Sequence, residues 1–210
     1  MVPDRLLATV AQQLGHPSGL TGRVVGRVLN RSNKSLVTFA VEAAEVAAGS
    51  AAVDVGYGGG VGLGLLLDRV GPAGIVHGVE LSETMLASAR RRFRRQLTDG
   101  RLQLHQASVQ RLPLPDGSVA AAVSINTIYF IDDLDAALRE LARVIGAGGR
   151  LVLGIGDPGA MAKMPVTRHG FTLRPVHDIV EHARRAGFAV LQARHTGGVA
   201  TSAVIVCDRP

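Results

Sequence analysis

The stretch VDVGYGGGVGLGLLL, residues 53–67, gives the clearest indication of the fold. It opens as an apolar strand that carries one carboxylate, Asp54, and runs through six glycines into a second apolar stretch. A strand that turns through glycines into a helix presents the unpaired backbone N–H groups of the helix to an anionic or polar ligand. Glycines at positions 56, 58 and 60 let backbone approach a ligand where any Cβ would collide. The stretch therefore predicts a small-ligand site built from backbone.

Length and composition bound the class of protein. A chain of 210 residues suits one α/β domain with a substantial core. The single cysteine, Cys207, excludes an intramolecular disulfide and lies in an apolar run typical of a core strand. No apolar run approaches the ~20 residues that a membrane span needs, and the N-terminus has no long apolar leader. We therefore expect a soluble, cytoplasmic protein with no membrane span.

The formal charge of +6 and the arginine-rich run ARRRFRRQ, residues 89–96, raise the question of a nucleic-acid partner. Apolar residues recur through this region at helical spacing, namely Met85, Leu86, Ala89, Phe93 and Leu97. That pattern predicts a helix whose arginines lie on the solvated face. With no Trp, two Tyr and five Phe, the chain also has little material for stacking bases. A nucleic-acid partner is not expected.

From residue 50 onward, β-rich runs alternate with helical patterns, which is typical of a parallel sheet with helices on both faces. The predicted strands are 51–56, 74–80, 101–107, 119–126, 149–157, 188–196 and 199–208, with helices near 60–70, 82–97, 133–145 and 175–186. Only two glycines, 197–198, separate the last two strands, so these should form an antiparallel hairpin. The predicted fold is a Rossmann-like α/β sheet of seven strands, five parallel plus this C-terminal hairpin.

The chain before this region has a different pattern. The runs DRLLATVAQQLG and KSLVTFAVEAAEVAAG look helical and flank the glycine-containing HPSGLTGRVVGRVLNRSN. We expect residues 1–48 to form a helical lid over a core of residues 49–210. Within that core, residues 157–174 form a long connection, which predicts an insertion on the acceptor side of the site.

Glycine spacing separates the possible ligands. A dinucleotide fingerprint needs glycines at i, i+2 and i+5, and no such triple occurs in residues 56–64. A phosphate-binding P-loop needs Gly-Lys-Ser/Thr, and no lysine lies between Lys34 and Lys163. What remains is an acid two residues before a G-x-G-x-G turn, DVGYGGG.

This arrangement resembles motif I of the class I S-adenosyl-L-methionine (SAM)-dependent methyltransferases. Four further stretches resemble that family in its order: GIVHGVELSETMLASAR, QASVQRLPLPDGS, VAAAVSINTIYFIDDLDAALREL and ARVIGAGGRLVLG. The N-terminal LGHPSGLTGR and LNRSN are similar to the lid of the small-molecule branch, which contains the UbiE-like enzymes. The resemblance covers about residues 50–157 and implies SAM as the cofactor.

The resemblance also implies which residues bind the cofactor. Glu80, at the end of the second strand, would accept hydrogen bonds from the ribose hydroxyls. Asn33 in the lid would either reach the methionine end of SAM or cap the helix that follows it. The other expected cofactor residues lie near or just after the ends of four predicted strands: Asp54, Gly56, Tyr57, Gly58, Gly60, Leu81, Ser108, Val109, Asn126 and Thr127.

Three positions depart from the family's pattern. Ser108 stands where the family usually has an Asp that binds the adenine amino group, so that hydrogen bond would lack charge assistance. Ala120 replaces an acid that is mostly structural in the family. Tyr57 replaces a commoner small residue and is expected to line the methionine end of the cofactor.

The molecule that accepts the methyl group should lie beyond the carboxyl ends of the strands. Four segments converge there: the segment SINTIYF (residues 124–130), the segment 156–173, the glycine turn and the lid. The methyl group of SAM is already electrophilic, so the protein's main task is to align the acceptor. The predicted catalytic residues are His169, as a base, and Tyr129, which could orient the acceptor. The alternatives are that His169 is an ordinary surface histidine and Tyr129 a core residue.

The leading hypothesis is a SAM-dependent methyltransferase (EC 2.1.1.-) acting on a hydroxyl oxygen of a sugar, polyketide or lipid-like alcohol, with carbon, nitrogen or arsenic acceptors as alternatives. A nicotinamide-dependent reductase is disfavoured because Asp133, not Lys, follows Tyr129 by four residues. A non-catalytic SAM-binding protein is the third hypothesis. No metal site is predicted, although four acidic residues leave a metal requirement open: Asp132, Asp133, Asp135 and Asp157. Homodimerisation is also left open.

Overall fold

The computed structural model describes residues 4–15, 17–19, 33–196 and 202–210. Its strands are β1 (Ala51–Val55), β2 (Ile75–Glu80), β3 (Leu102–Gln106), β4 (Val119–Ile125), β5 (Ile145–Gly156), β6 (Ala189–Thr196) and β7 (Ser202–Asp208). They form one seven-stranded sheet in the order β3-β2-β1-β4-β5-β7-β6. β7 pairs antiparallel with both β5 and β6, while the other pairs are parallel. Six strands therefore point the same way, and β7 alone is reversed.

The α-helices lie on both faces of this sheet. Their bounds are α1 (Asp4–Gly15), α2 (Lys34–Ala43), α3 (Val61–Val70), α4 (Glu83–Arg92), α5 (Arg94–Thr98), α6 (Leu134–Val144), α7 (Pro158–Met161) and α8 (Val176–Arg185). Short 3₁₀ turns span Ile128–Phe130 and Pro165–Arg168. None of the helices in the described ranges is both long and apolar enough to cross a membrane.

Two apolar layers hold the sheet between the helices. α6 and α8 cover one face, where Leu138, Leu141 and Ile179 pack against strand residues such as Leu151 and Ile205. α2, α3 and α4 cover the other face, against residues that include Val76, Val123 and Val152. Helices on both faces were predicted because β-rich runs alternate with helical patterns along the chain.

The helix α6 shows how local sequence sets one of these elements. Its first turn is capped by Asp133, whose carboxylate accepts a hydrogen bond from the backbone N–H of Ala136 at 2.9 Å. Apolar residues then recur on one face and are buried: Leu134, Ala137, Leu138, Leu141, Ala142 and Val144. An apolar stripe at this spacing is what a helix needs to cover a sheet.

The predicted elements of the core are confirmed, with two main differences in their bounds, and the predicted helical run KSLVTFAVEAAEVAAG is helical only as far as Ala43, where α2 ends. β5 begins at Ile145 rather than at residue 149, because Ile145 pairs with Val119 before an irregularity in the β4–β5 register. The predicted helix 82–97 is divided at Phe93, whose φ of −108° and ψ of 27° interrupt the helical backbone. The glycines 197–198 of the predicted hairpin turn lie outside the described residues.

The arginine-rich run is solvated, as predicted. Met85, Leu86, Ala89 and Phe93 are buried against the sheet, whereas Arg90, Arg91, Arg92, Arg94 and Arg95 are exposed. Cys207 is also fully buried in the interior strand β7, and burial raises the pKa of its thiol to about 12. Cys207 therefore belongs to the core.

Candidate functional site

A cavity of about 700 Å³ lies at the carboxyl ends of the parallel strands. It is bordered by residues that follow β1, β2, β3, β4 and β5 and by residues of α1 and α2. In open α/β sheets ligands bind at this edge, and the volume is that of a small-molecule site. Every residue expected to bind the cofactor, except Gly60, lines this cavity, as does Tyr129.

The glycine turn forms one wall. Gly56 has a φ of +73°, and a Cβ there would lie 2.2 Å from Oγ1 of Thr127. A Cβ at Gly62, in the first turn of α3, would lie 2.2 Å from Oδ2 of Asp54. The backbone therefore passes Thr127 and Asp54 so closely that only glycine fits at either position. Gly60 is the N-cap residue of α3 and sets the turn from outside the cavity.

Asp54 carries a buried carboxyl group against this turn. It is 4% exposed, and no hydrogen bond to it is found from the described residues. Burial first, and the nearby carboxylate of Glu80 second, raise the pKa of Asp54 from 3.8 to about 7. Asp54 is thus poised to accept a cation or a hydrogen-bond donor from a ligand.

Glu80, the last residue of β2, is held by backbone N–H groups. Its Oε1 accepts hydrogen bonds from Leu81 at 2.8 Å and Ser82 at 3.0 Å, and its Oε2 accepts one from Gly58 at 3.0 Å. These bonds join the ends of β1 and β2 through one side chain. They fix the position of a carboxylate that can still accept a hydrogen bond from a ligand hydroxyl, because an ionised carboxylate has about four acceptor positions.

Asn126 and Tyr129 form a second polar group, after β4. Oδ1 of Asn126 accepts hydrogen bonds from the Tyr129 hydroxyl and from the N–H of Gly156, both at 3.1 Å. The Tyr129 hydroxyl in turn accepts the same N–H at 2.6 Å. Asn126 has a φ of +57°, a backbone conformation that residues other than glycine seldom adopt. The network therefore connects the ends of β4 and β5 beside the cavity.

The half of the cavity beyond Tyr129 is largely apolar, although the acidic residue Asp132 also lines the cavity. The Tyr129, Phe130 and Phe171 rings form a cluster, with centroids 4.7 to 6.2 Å apart. Further apolar lining comes from α1, α7 and the segment between α7 and α8: Leu14, Met161, Met164 and Val166. The described lining residues include no histidine, lysine or arginine. This half suits a molecule with little charge.

His169, the predicted base, is not among the lining residues. Its Nε2 lies 3.1 Å from Oδ1 of Asp4, at the first turn of α1. The side chain is 23% exposed, and that of Asp4 is 87% exposed. His169 therefore contacts the start of α1 from the segment of residues 157–174, and it does not line the cavity.

Two other predicted residues have placements that the sequence left open. Asn33 precedes α2 without making a side-chain capping hydrogen bond and borders the cavity, so the ligand-facing alternative is favoured. Tyr57 borders the cavity, but its ring packs in the core near Gly78 and Leu63. Its buried hydroxyl has no hydrogen-bond partner among the described residues.

Several lining residues escaped the sequence analysis, among them Gly62, Gln110, Phe130, Met161 and Phe171. A signal existed for Gly62, which lies in the first turn of a helix that follows the acid-bearing strand β1. Phe130 and Phe171 are brought together by the fold across 41 residues, and no local pattern marks that contact. In the ranges that the structure describes, no group of three or more His, Cys, Asp or Glu side chains could hold a metal ion.

Comparisons with known proteins agree with this geometry. Residues 53–153 match a family model described as a methyltransferase domain. An uncharacterised 37.1 kDa protein of Streptomyces fradiae is 36% identical over 127 residues, which are 60% of this chain and 35% of that protein. Methyltransferase GfsG of Streptomyces halstedii is 33% identical over 112 residues, 53% of this chain and 40% of that protein. The chain thus matches well under half the length of these two relatives.

Among solved structures, the fold is similar to that of geranyl diphosphate C-methyltransferase from Streptomyces coelicolor A3(2), solved with Mg²⁺, geranyl diphosphate and S-adenosyl-L-homocysteine. The TM-score is 0.73 at 19% identity, covering 94% of this chain and 87% of that one. This likeness concerns the fold. The motif residues, the strand order and the match of residues 53–153 to the methyltransferase-domain family together support a class I SAM-dependent methyltransferase.

Proposed function

We propose that this protein transfers the methyl group of SAM to a small, largely apolar molecule, at a hydroxyl oxygen. The observation that carries the proposal is one cavity with two unlike halves. One half presents glycine backbone, Asp54 and Glu80, and the other presents the aromatic cluster and two methionines. A cofactor and an acceptor held in one cavity can react without diffusing between sites.

The residues of the first half fit SAM. The turn at Gly56 and Gly58 has no side chains that would block a ligand, and Glu80 offers a fixed carboxylate for a ribose hydroxyl. The carboxyl of Asp54, which accepts no hydrogen bond from the described residues, would meet the positively charged amino group of the methionine portion. Asn33, Ser108 and Val109 would border the cofactor further along the cavity.

When bound, SAM supplies a methyl group on a positively charged sulfur, which is reactive towards electron-rich atoms. The chain's own residues then have to orient the acceptor and exclude water. Tyr129 suits the first task, because it lines the cavity and its hydroxyl is fixed by Asn126 and Gly156. Burial raises the pKa of this hydroxyl, so Tyr129 stays protonated and positions the acceptor instead of taking its proton.

Removal of the hydroxyl proton is assigned to Asp132, an exposed acidic residue that lines the cavity. His169 is the competing base from the sequence analysis. Substitutions of Asp132 and of His169 distinguish the two assignments of the base. Asp132→Asn should lower the transfer rate while leaving SAH affinity unchanged, whereas His169→Gln should leave the rate near that of the wild type. The opposite pattern would restore His169 as the base.

Carbon is the second candidate acceptor atom, and one observation favours it. The acceptor half has no described histidine or lysine and is rich in aromatic and sulfur-containing side chains. An electron-rich carbon, as in an alkene, can attack the methyl group before any proton is removed. Transfer of a ¹³C-labelled methyl group distinguishes the two, since methyl carbons on oxygen and on carbon have different NMR chemical shifts.

The first test measures cofactor binding by calorimetry. S-Adenosylhomocysteine (SAH), NADH and NADPH are titrated into the wild type, Glu80→Gln and the control Glu83→Gln, whose side chain is exposed at the start of α4. We expect SAH alone to bind and Glu80→Gln to weaken it about tenfold or more, because charge-assisted hydrogen bonds are lost. Binding of NADH or NADPH instead would support the reductase alternative.

The second test measures turnover. Apolar alcohols and alkenes are screened with SAM, and formation of SAH is followed. SAH binding without turnover on any acceptor would support a non-catalytic SAM-binding protein.

A further inference from the structure

A pair of histidines lies outside the cavity, where β2 and β3 pair. Nδ1 of His77 is 3.3 Å from Nε2 of His105, and the ring centroids are 5.5 Å apart at a tilt of 34°. Both side chains are partly buried, and neither lines the cavity. The proposed transferase chemistry uses neither residue.

The strands themselves set this spacing. β2 and β3 are parallel, with His77 level with Gln103 and His105 level with Val79. Alternate residues of a strand face the same side, so His77 and His105 are diagonal neighbours on one face of the sheet. Two adjacent paired strands are a rigid support, and they hold the two ring nitrogens near each other without a contribution from any loop.

The distance between the nitrogens matches a known ligand geometry. Zinc binds imidazole nitrogen at 2.0–2.1 Å with tetrahedral angles, which places two ligand nitrogens about 3.3 Å apart. An N–H···N hydrogen bond between the rings would have a similar distance, so the two possibilities must be separated by experiment.

We propose that His77 and His105 form a two-histidine site for a divalent metal ion of the zinc, nickel or copper class. Imidazole nitrogens are ligands that these ions prefer. Within the described part of the chain no third His, Cys, Asp or Glu joins the pair, so water completes the coordination. The site therefore binds more weakly than a four-ligand structural zinc site. Its occupation would connect strands whose histidines are 28 residues apart in sequence.

The test uses the full chain and ZnCl₂ alone. Thermal unfolding is measured with EDTA and then with increasing zinc, for the wild type, His77→Gln, His105→Gln and the control His177→Gln. His177 is 82% exposed on α8, beside Asp178, so its loss reports unspecific surface binding. We expect zinc at ten times its Kd to raise the Tm of the wild type and the control by about 3–6 °C. Each of the two site variants should lose this rise.

A direct spectroscopic measurement supplements the variants, in case His77→Gln does not fold. In the ¹⁵N-labelled wild type, zinc should shift the resonances of Nδ1 of His77 and Nε2 of His105. The proposal is overturned if these resonances do not move, which would identify a plain hydrogen bond. It is also overturned if both site variants retain the rise in Tm.

Discussion

At the scale of single residues, Asp54 links the site to the stability of the whole chain. Its pKa is raised from 3.8 to about 7 by burial and by Glu80. Between these two values the folded protein holds a proton that the unfolded chain has lost. Stability therefore falls as the pH rises through this window, since the folded state binds more protons there.

This linkage predicts a difference between the wild type and Asp54→Asn, which cannot ionise. We expect the free energy of unfolding of the wild type to decrease relative to that of the variant as the pH rises from 4 to 7. Urea unfolding at several pH values measures both. Parallel curves for the two proteins would show that Asp54 ionises normally in the folded state.

Tyr57 gives a second prediction at this scale. Its hydroxyl is buried without a partner among the described residues, and such a group costs about 1–3 kcal/mol. Tyr57→Phe keeps the ring and removes that cost, so the Tm should rise by several degrees. SAH affinity, measured on the same protein, should not change. A lower Tm would mean that the hydroxyl has a partner in the folded protein.

The sequence predicts the residues whose roles follow from position on an element. Glu80 ends β2 and Asp54 lies one residue before the end of the adjacent parallel strand β1, so their meeting at one edge follows from the strand pattern. His169 shows where such reasoning stops, because its neighbour is Asp4, which is 165 residues away in sequence. A loop side chain is placed by packing against distant segments, and that packing is not encoded in the local pattern.

At the scale of elements, α3 contains two glycines, Gly62 and Gly64, whose surroundings differ. A Cβ at Gly62 would lie 2.2 Å from Oδ2 of Asp54, whereas at Gly64 the nearest atoms, in the ring of Phe93, are 3.9 Å away. Gly64→Ala should stabilise the protein by about 0.5–1 kcal/mol, because alanine favours the helix.

Gly62→Ala should instead lower the Tm and weaken SAH binding, because it displaces the carboxyl of Asp54. Thermal unfolding and calorimetry compare the two variants under the same conditions. Equal effects would mean that the start of α3 can shift to accommodate a side chain.

The elements of the sheet were predictable, and their exact ends were less so. Alternating strand and helix patterns predicted all seven strands, and the short connection 197–198 predicted that β6 and β7 would be antiparallel. The early start of β5 was missed because residues 145–149, IGAGG, have the glycine content of a turn. Ile145 pairs with Val119 of β4, and the pairing resumes at Arg150 after an irregularity, so a tertiary contact sets the start of the strand against local preference.

At the scale of the whole molecule, the cavity joins segments that are distant in the chain. Leu14 and Pro17 meet residues that follow β1, β2, β4 and β5 around the same space. A ligand that contacts all of them would bind only the folded chain, and it would therefore stabilise the fold by mass action.

We expect SAH at 100 times its Kd to raise the free energy of unfolding by about 2.7 kcal/mol, which corresponds to about 5–10 °C in Tm. Differential scanning calorimetry over a range of SAH concentrations measures the rise. Glu80→Gln at the same SAH concentration should show a smaller rise. A Tm independent of SAH would contradict the proposed cofactor site.

The position of β7 between β5 and β6 has a consequence for how the chain folds during synthesis. Strands β1 to β5 leave the ribosome first, and the edge of β5 then waits, unpaired, for residues that are made after β6. Such an edge can pair with the wrong strand, in the same chain or in another. The sheet is completed only when residues 202–208 insert between β5 and β6. We therefore expect chaperones to bind nascent chains that are stalled before these residues are made.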